Sequence, residues 1–359
     1  MEILDEEEYI LVTGGAGFIG SHTIIVLLEH NYNVVVIDNL VNSNIESIVR
    51  VKELTNCDDK RLHFYNIDLC DKNKLEELFI IYKNRLKACI HTAGLKSVGE
   101  SVEKPLLYYN NNLVSTLNLL ELLDKYGCYQ FVFSSSATVY GSAHVPITEN
   151  TQIGIGITNP YGRTKYMLEE ILHDYYKSKN LKDNSKWSIV ILRYFNPIGA
   201  HDSGRIGEDP HGIPNNLMPY ISQVAVGKRE KLTIFGDQYK TPDGTGIRDY
   251  IHVVDLAEGH FASLNYMEKD NKGYGKYSVF NLGTGYGYSV LEMVNSMKKA
   301  SNKEIPFIIG DKREGDVDIS YANNRKAIQE LNWTPKRDLQ NMCDTLWKWQ
   351  SNNHNGYNS

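Results

Sequence analysis

The chain has 359 residues, 42% of them hydrophobic and 23% charged, which is the balance of an ordinary globular protein. Its net charge of −6 predicts no general affinity for nucleic acid or for an anionic membrane surface, and its apolar segments are too short to span a bilayer. Five cysteines without a C-x-x-C pair and an acidic start, "MEILDEEEY", argue against a zinc site, a disulfide framework and a signal peptide, so we expect a cytoplasmic protein without a bound metal.

The first half of the chain alternates short β-branched segments with helical patterns. The segments that predict strands are 9–15, 33–39, 62–69, 87–94, 130–137 and 187–196. The helical patterns between them include 22–30, 73–83 and 107–125. This alternation predicts an α/β fold built on a doubly wound parallel sheet.

The pattern changes after about residue 195. The segment "NPIGAHDSGRIGEDPHGIPNNLMP" is rich in Gly, Pro, Asn and Asp, which is typical of a long functional loop. Shorter pieces follow at 247–264 and 277–285, and the pattern of 289–300 predicts a helix. We predict a nucleotide-binding domain over 1–195 and a smaller, mixed α/β substrate domain over 196–359. The boundary is soft, because 277–285 is also a candidate strand of the first sheet.

A glycine-rich turn, "VTGGAGFIGSH", follows the first strand and opens the first helix. It satisfies G-x-G-x-x-G at Gly15, Gly17 and Gly20, a pattern that lets the backbone approach a pyrophosphate at a helix N-terminus. Asp38 ends the second strand 18 residues later, where it is expected to accept hydrogen bonds from ribose hydroxyls. Its charge disfavours a 2′-phosphate, so the turn predicts NAD rather than NADP. Asp68, after the third strand, is a candidate either for the adenine edge or for capping a turn.

A Tyr-Lys pair marks the start of a later helix, "TNPYGRTKYMLEE". Asn159 is a good N-cap and Pro160 suits the first helical position, so Tyr161 is predicted in the first turn, on the same face as Lys165. A phenol has an ordinary pKa near ~10, and a nearby ammonium lowers it by favouring the phenolate. The pair is therefore a candidate for proton transfer.

The same spacing recurs at Tyr175 and Lys179, roughly 21 Å further along the helix at ~1.5 Å per residue. One site cannot use both copies, and we interpret Lys179 as a solvated charge. Ser136, at the end of "SSSATVY", is a candidate to share a hydrogen bond with the reacting hydroxyl. Serines at a strand end are also ordinary turn-formers.

Together these residues resemble the extended short-chain dehydrogenase/reductase family. Later motifs, among them "GIPNNLMPYISQVAVG", "DGTGIRDYIHVVDLA", "NLGTG", "REGD" and the closing "WQSNNHNGY", are similar to those of the UDP-galactose 4-epimerases, and the resemblance runs from about residue 9 to 357. It implies a Rossmann-type sheet, NAD as cofactor, a UDP-hexose as substrate, and a homodimer formed through helices at 107–125 and 161–177. The implied activity interconverts UDP-galactose and UDP-glucose through a transient 4-keto sugar.

The resemblance also implies roles for individual residues. Catalysis is expected from Tyr161, Lys165 and Ser136. The cofactor is expected to contact Gly14, Gly17, Phe18, Ile19, Gly20, Asp38, Asn39, Ser43, Asp68, Leu69, Thr92, Ala93, Gly94, Lys96, Asn111, Ser136, Tyr161, Lys165 and Phe195. The substrate is expected to contact Lys96, Ser136, Tyr161, Asn196, Asn216, Leu217, Phe235, Arg248, Arg313, Asp316 and Ser320.

Two positions depart from the family pattern or vary within it. Thr92 stands where the family commonly has an aromatic or other apolar residue, which alters packing at the cofactor. Ser320 stands where some relatives carry a tyrosine that narrows the sugar pocket. A serine there predicts that UDP-N-acetylglucosamine and UDP-N-acetylgalactosamine are also interconverted, unless residue 320 lies outside the pocket.

Competing interpretations share the fold. A nucleotide-sugar 4,6-dehydratase needs an added acid–base pair, which in such relatives is Asp-Glu directly after a Ser/Thr, whereas Ser136 is followed by "ATVY". A UDP-glucuronate-modifying enzyme needs an extra basic group, which the sequence leaves open. A non-catalytic NAD-binding regulator would tend to lack the Tyr-Lys pair.

Overall fold

The structure is a computed structural model that describes residues 7–181, 187–269, 275–313 and 315–358. We expect no signal peptide at the acidic start of the chain. Most of that segment lies outside the described residues. None of the helices within these ranges is both long enough and apolar enough to cross a bilayer.

The described elements follow in chain order. The strands are β1 (Tyr9–Thr13), β2 (Asn33–Asp38), β3 (Leu62–Asn66), β4 (Leu86–His91), β5 (Gln130–Ser136), β6 (Ser188–Tyr194), β7 (Asn196–Ile198), β8 (Leu232–Phe235), β9 (Ile247–Arg248), β10 (Tyr250–His252), β11 (Tyr277–Leu282), β12 (Tyr288–Ser289), β13 (Phe307–Gly310) and β14 (Ile319–Ser320). The helices are α1 (Phe18–Glu29), α2 (Glu46–Thr55), α3 (Lys72–Tyr82), α4 (Val98–Glu103), α5 (Pro105–Lys125), α6 (Pro160–Asn180), α7 (Leu217–Ala225), α8 (Val253–Glu268), α9 (Val290–Ser301), α10 (Arg325–Leu331) and α11 (Leu339–Asn352).

The chain divides into two compact units that alternate along the sequence. Unit 1 comprises Met1–Ser135, Asn159–Leu192 and His260–Val279. Unit 2 comprises Ser136–Thr158, Arg193–Gly259 and Phe280–Ser359. A single boundary at residue 195 therefore does not describe this division, because 136–158 belongs with the C-terminal part and 260–279 with the N-terminal part.

Unit 1 is organised by a seven-stranded sheet of order β11-β6-β5-β4-β1-β2-β3. The pairs from β5 through to β3 run parallel, and β1 is buried over its whole length, as expected for a strand covered on both faces. The doubly wound α/β fold is thus confirmed. The candidate strand in 277–285 corresponds to β11, which lies at the edge of this sheet.

Most predicted strands run one to three residues beyond the observed ones. The segment 62–69, for example, ends as a strand at Asn66. The overrun falls mainly at the carboxyl ends, and after β3 it includes an apolar residue, Leu69, that is buried in the core of unit 1. Burial alone therefore does not mark where a strand ends.

Unit 2 is a mixed α/β unit with three small sheets of order β10-β7, β12-β9-β14 and β13-β8. Its core contains Met218, Ile221, Met297 and Trp349, contributed by α7, α9 and α11. The predicted helix 289–300 is confirmed as α9. Ser289 and Glu292 form a complete capping box at its start, which satisfies two of the unpaired backbone donors.

Candidate active site

The glycine-rich turn joins β1 to α1 in unit 1. Gly14 has a φ of +69°, and a Cβ atom there would lie 2.6 Å from the Ala93 nitrogen. A Cβ atom on Gly20 would lie 2.3 Å from the Gly14 oxygen, so the first turn of α1 packs directly on the turn. Within the described residues, α1 begins without an acidic first turn or a side-chain cap. Its amino end can therefore receive a phosphate through backbone N–H groups and the positive end of the helix dipole.

Asp38 lies beside this turn at the carboxyl end of β2. One carboxylate oxygen accepts the Ala16 N–H at 3.0 Å, and the other accepts the Leu40 N–H at 2.9 Å and the Ser43 hydroxyl at 2.7 Å. The first oxygen has one partner among the described residues and keeps a lone pair for another donor, such as a ribose hydroxyl. The turn, the helix end and this carboxylate fit a dinucleotide with an unmodified ribose.

The loops after β2 and β3 meet at the same edge of the sheet. Asp68 accepts the Cys70 N–H at 2.8 Å and the Asn39 side-chain amide at 3.1 Å. The carboxylate therefore has the turn-capping role that the sequence left open. The Leu69 side chain is buried in the core, so a contact with a cofactor would have to come from its backbone. Phe18 and Ile19 are partly buried at the start of α1.

The loop after β4 is tied to the glycine-rich turn. The Thr92 hydroxyl donates to the Thr13 carbonyl at 2.7 Å, and the Thr92 N–H donates to the same oxygen at 3.1 Å. This polar attachment replaces the apolar packing expected of the family at position 92. It holds Ala93 against Gly14, which is the contact that excludes a side chain from Gly14.

Asn112 secures the continuation of that loop. Its side chain accepts the Leu95 N–H at 2.9 Å and donates to the Leu95 carbonyl and to the Thr164 hydroxyl, both at 3.1 Å. The side-chain oxygen also lies beneath Gly94, 3.3 Å from where a Cβ atom would stand. The sequence had pointed to Asn111, whose carbonyl accepts a weak bond from the Cys70 thiol at 3.8 Å. The predicted cofactor role of exposed Lys96 stays a prediction.

The Tyr-Lys pair occupies the predicted place at the start of α6. The Asn159 side chain accepts the Gly162 N–H at 2.8 Å, and Pro160 is the first helical residue. Tyr161 is partly buried in the first turn. The Lys165 ammonium lies 6.0 Å from the centre of the Tyr161 ring, so the structure brings the two groups together.

Lys165 is held in a buried position. Its Nζ donates to the Ser134 carbonyl at 2.6 Å and lies 4.8 Å from the centre of the Phe133 ring. Burial lowers the pKa of Lys165 to about 8, while Glu169 one turn further on opposes the change. The lysine therefore keeps its charge at neutral pH. Because the position is shielded from solvent, this charge is weakly screened and acts strongly on the neighbouring phenol.

Ser136 ends β5 and belongs to unit 2, whereas Tyr161 and Lys165 belong to unit 1. Its hydroxyl oxygen accepts the Thr138 N–H at 3.2 Å and the Thr138 hydroxyl at 3.0 Å. Ser136 thus has the turn-forming role, and neither bond uses its own proton. A hydrogen bond from this proton to the reacting hydroxyl stays a prediction.

The second Tyr-Lys copy lies in a different environment. Lys179 is partly exposed and donates to Asp124 at 2.6 Å, so the solvated charge predicted there is also ion-paired. The indole of Trp187 donates to the same carboxylate at 2.9 Å. Burial and the Asp124 charge raise the pKa of Tyr175, which is the opposite of what a proton acceptor needs.

The substrate residues implied by the resemblance all lie in unit 2, apart from Lys96 and Tyr161. Arg248 donates to one oxygen of Asp316 at 2.8 Å, and Tyr239 donates to the other at 3.1 Å. The Arg313 guanidinium lies 3.9 Å from the centre of the Phe235 ring. Two arginines, a carboxylate and an aromatic face can hold a diphosphate, a ribose and a base.

The remaining predicted substrate residues, and Phe195 of the predicted cofactor set, lie in the same unit. Ser320 pairs with Arg248 in the register of β14 and β9. The Asn196 side-chain amide donates to the Asp249 carbonyl at 2.7 Å. Asn216 occupies the N-cap position of α7 without a capping bond from its side chain, which donates to Glu208 at 3.3 Å, and Leu217 is the first residue of that helix. The Phe195 N–H donates to the Leu282 carbonyl at 3.1 Å.

Three supporting residues were missed by the sequence reasoning. Asn112 stands next to the predicted Asn111, and Asp249 stands next to Arg248 in "IRDY", so local motifs pointed to the neighbourhood but not to the residue. Tyr239 is separated from Asp316 by 77 positions, and no sequence signal connects them. Among the described residues, no group of His, Cys, Asp and Glu is placed to hold a metal ion.

Known proteins share both the sequence and the fold. The family model for GDP-mannose 4,6 dehydratase matches residues 11–346. UDP-glucose 4-epimerase 2 of Arabidopsis thaliana is 56% identical over 351 residues, which are 98% of this chain and 97% of the relative. UDP-glucose 4-epimerase of Bacillus subtilis (strain 168) is also 56% identical over 351 residues, covering 98% of this chain and 99% of the relative.

The fold comparison leads to the same group. The crystal structure of UDP-glucose 4-epimerase from Bifidobacterium longum in complex with NAD+ and UDP matches with a TM-score of 0.89 and 47% identity, over 97% of this chain and 99% of that one. The dehydratase family model is the less specific match, because the relatives that are more than half identical to this chain over nearly its full length are epimerases. The chain therefore belongs to the UDP-glucose 4-epimerases of the extended short-chain dehydrogenase/reductase family.

Proposed function

We propose that this protein is an NAD-dependent isomerase that interconverts UDP-galactose and UDP-glucose at C4 through a 4-keto sugar. The observation that carries the proposal is the buried Lys165 ammonium beside Tyr161 at the capped start of α6. Membership of the epimerase family supports the same conclusion.

Tyr161 is the proton acceptor and donor. Lys165 favours its phenolate, which takes the proton of the sugar 4-hydroxyl and returns it after C4 has been inverted. Ser136 has a hydroxyl proton that its bonds with Thr138 do not use, and that proton can steady the sugar oxygen. The net reaction is redox-neutral, because C4 regains the hydride that it lost, and the proton balance closes because Tyr161 ends in the protonation state in which it began.

NAD supplies the acceptor, and later the donor, of the C4 hydride. In unit 1, Asp38 would hold the adenosine ribose, and the amino end of α1 would hold the pyrophosphate. The loop 92–96, which Thr92 and Asn112 keep in place, would line the rest of the cofactor. These residues bind and orient; the redox chemistry belongs to the cofactor.

Unit 2 would hold the UDP. Arg248 and Arg313 are suited to bidentate bonds with the diphosphate, and Asp316 to the uridine ribose hydroxyls. Tyr239 fixes the orientation of Asp316. The UDP can stay firmly bound while the sugar rotates to present either of its faces, because UDP-galactose and UDP-glucose carry the same nucleotide.

One activity assay distinguishes this function from the alternative functions. Purified protein is incubated with UDP-galactose and no added NAD, and the nucleotide sugars are separated. We expect UDP-glucose, whereas a keto-deoxy sugar would indicate a 4,6-dehydratase and unchanged substrate would favour a regulator. The residues after Ser136, "ATVY", lack the Asp-Glu pair of dehydratases and argue against the first rival.

We further propose that N-acetylated UDP-hexosamines are substrates. Ser320 lies opposite Arg248 in the β14–β9 pairing, within the cluster assigned to UDP, and its small side chain leaves room for an acetamido group. Ser320→Tyr should abolish turnover of UDP-N-acetylgalactosamine and leave that of UDP-galactose within about threefold. Loss of both activities, or of neither, would contradict this role.

We also propose a cytoplasmic homodimer. All five cysteines are free thiols, which suits a reducing compartment. Leu106 and Leu117 are exposed on α5 and lie on one face, three turns apart, while Met167 is exposed on α6. A four-helix contact between two copies would cover these side chains. Sedimentation velocity should give a dimer for the native chain and a monomer for Leu117→Lys; a native monomer would refute the proposal.

A further inference from the structure

Asp249 is the residue between β9 and β10 in unit 2, and its carboxylate is buried. One of its oxygens accepts the Thr284 N–H at 2.8 Å and the Thr284 hydroxyl at 2.7 Å. The other accepts the Gly285 N–H at 3.0 Å and the Ala322 N–H at 3.1 Å. Burial raises the pKa of Asp249 to about 6, opposed by these four bonds, so the group is ionised at neutral pH.

The backbone of the same residue reaches two of the predicted substrate residues. The Asp249 N–H donates to the Ser320 carbonyl at 3.0 Å. Its carbonyl accepts both the Asn196 N–H, at 3.0 Å, and the Asn196 side-chain amide, at 2.7 Å. The preceding residue is Arg248, which donates to Asp316. Asp249 is therefore the common neighbour of Asn196, Arg248 and Ser320.

A comparison within unit 2 shows how unusual this carboxylate is. Asp255 is also fully buried, but it pairs with the Arg337 guanidinium. Among the described residues, the donors to the Asp249 carboxylate are three backbone N–H groups and one hydroxyl, all uncharged, although a buried charge without a countercharge is costly. Gly283 is also constrained, because a Cβ atom there would lie 2.5 Å from an Asp249 oxygen. This arrangement fixes the 283–285 loop and the 320–322 segment against one charged group.

We propose that Asp249 is a positioning residue of the substrate site, whose carboxylate keeps Asn196, Arg248 and Ser320 in the register that binds the UDP-sugar. The proposal rests on the proposed function, since these three residues matter only if they contact that substrate. Asp249 is sealed from solvent and acts through its neighbours.

The test replaces Asp249 by asparagine, which keeps the size but removes the charge and turns an NH2 group toward N–H donors. Asp249→Asn should raise the KM for UDP-galactose and the Kd for UDP about tenfold, with kcat changed less than about threefold. Asp255→Asn is the matched control: it should lower the melting temperature and leave KM and Kd within about twofold.

Two results would overturn the proposal. One is an unchanged KM and Kd in folded Asp249→Asn; the other is an equal rise in Asp255→Asn, which would show that loosening unit 2 anywhere weakens binding. If Asp249→Asn does not fold, Thr284→Val replaces it as the test, because it removes one hydrogen-bond donor to Asp249. We expect the KM for UDP-galactose and the Kd for UDP to rise about threefold, and no rise would refute the proposal.

A titration with UDP distinguishes failure of the Asp249 proposal from failure of the proposed function. If the native protein fails to turn over UDP-galactose, the proposed function falls. The calorimetric Kd of UDP still decides the role of Asp249 in that case: a tenfold weakening in Asp249→Asn alone supports it, and equal affinity refutes it.

Discussion

Helix α6 carries the same Y-x-x-x-K spacing twice, and the two copies have opposite electrostatics. At the first copy, Lys165 is buried against a backbone carbonyl and an aromatic ring, and its charge is available to Tyr161. At the second copy, Asp124 forms an ion pair with Lys179, and burial together with the Asp124 charge raises the pKa of Tyr175. Spacing places a lysine beside a tyrosine at both copies; burial of the phenol and a direct ion pair on the lysine distinguish the second copy from the first.

The largest expected difference between the copies comes from the tyrosines. Tyr161→Phe should lower kcat for UDP-galactose by about a thousandfold, because it removes the group that exchanges the proton. Tyr175→Phe should leave kcat within about twofold. A coupled assay for UDP-glucose measures both, with circular dichroism as the check on folding. Full activity in Tyr161→Phe would remove the basis of the proposed mechanism.

The lysines should show a smaller difference. Lys165→Met should lower kcat about a hundredfold, because the phenolate loses its stabilising charge. Lys179→Met removes a partly exposed ion pair and should cost no more than about 1 kcal/mol of stability, with unchanged kcat. Thermal melts and steady-state kinetics on the same preparations separate the two effects. Equal losses of activity would mean that the second copy also takes part.

The smallest expected effect is a pH dependence at the first copy. Because burial lowers the pKa of Lys165 to about 8, kcat/KM for UDP-galactose should fall as pH rises above that value. The stability change has the opposite sign. The unfolded chain holds this proton up to the ordinary lysine pKa of 10.5, so between these two pH values folding releases a proton and rising pH favours the folded state.

The fall in activity can therefore be separated from unfolding. Ellipticity followed across the same pH range should stay constant where kcat/KM declines. A Lys165→Met preparation with residual activity should lack the decline, since it has no ammonium to lose. A decline of the same shape in that variant would assign the titration to another group.

The parts of the site that sequence predicted well are those fixed by local chemistry. Asn159 and Pro160 determine where α6 begins, and therefore where Tyr161 lies. The glycine-rich turn is equally local, because its glycines are required by contacts within the turn and with the next loop. Asp38 could be placed because β2 ends there.

The parts that sequence could not supply depend on contacts between distant segments. Tyr239 orients Asp316, and Asp249 links Asn196 to Ser320; neither side chain differs in type from many others in the chain. The same reason explains Lys179, whose partner Asp124 lies 55 positions away. Such pairs become visible only when the backbone has brought the segments together.

The interleaving of the two units has a consequence for recombination between relatives. The six segments alternate, so five junctions separate the units along the chain. A chimaera with a single crossover near residue 195 would give unit 2 a foreign 136–158 and leave unit 1 with a foreign edge strand. Exchange of substrate preference by transplantation would require matched cuts at 135, 158, 192, 259 and 279, which leave each hydrophobic core from one parent.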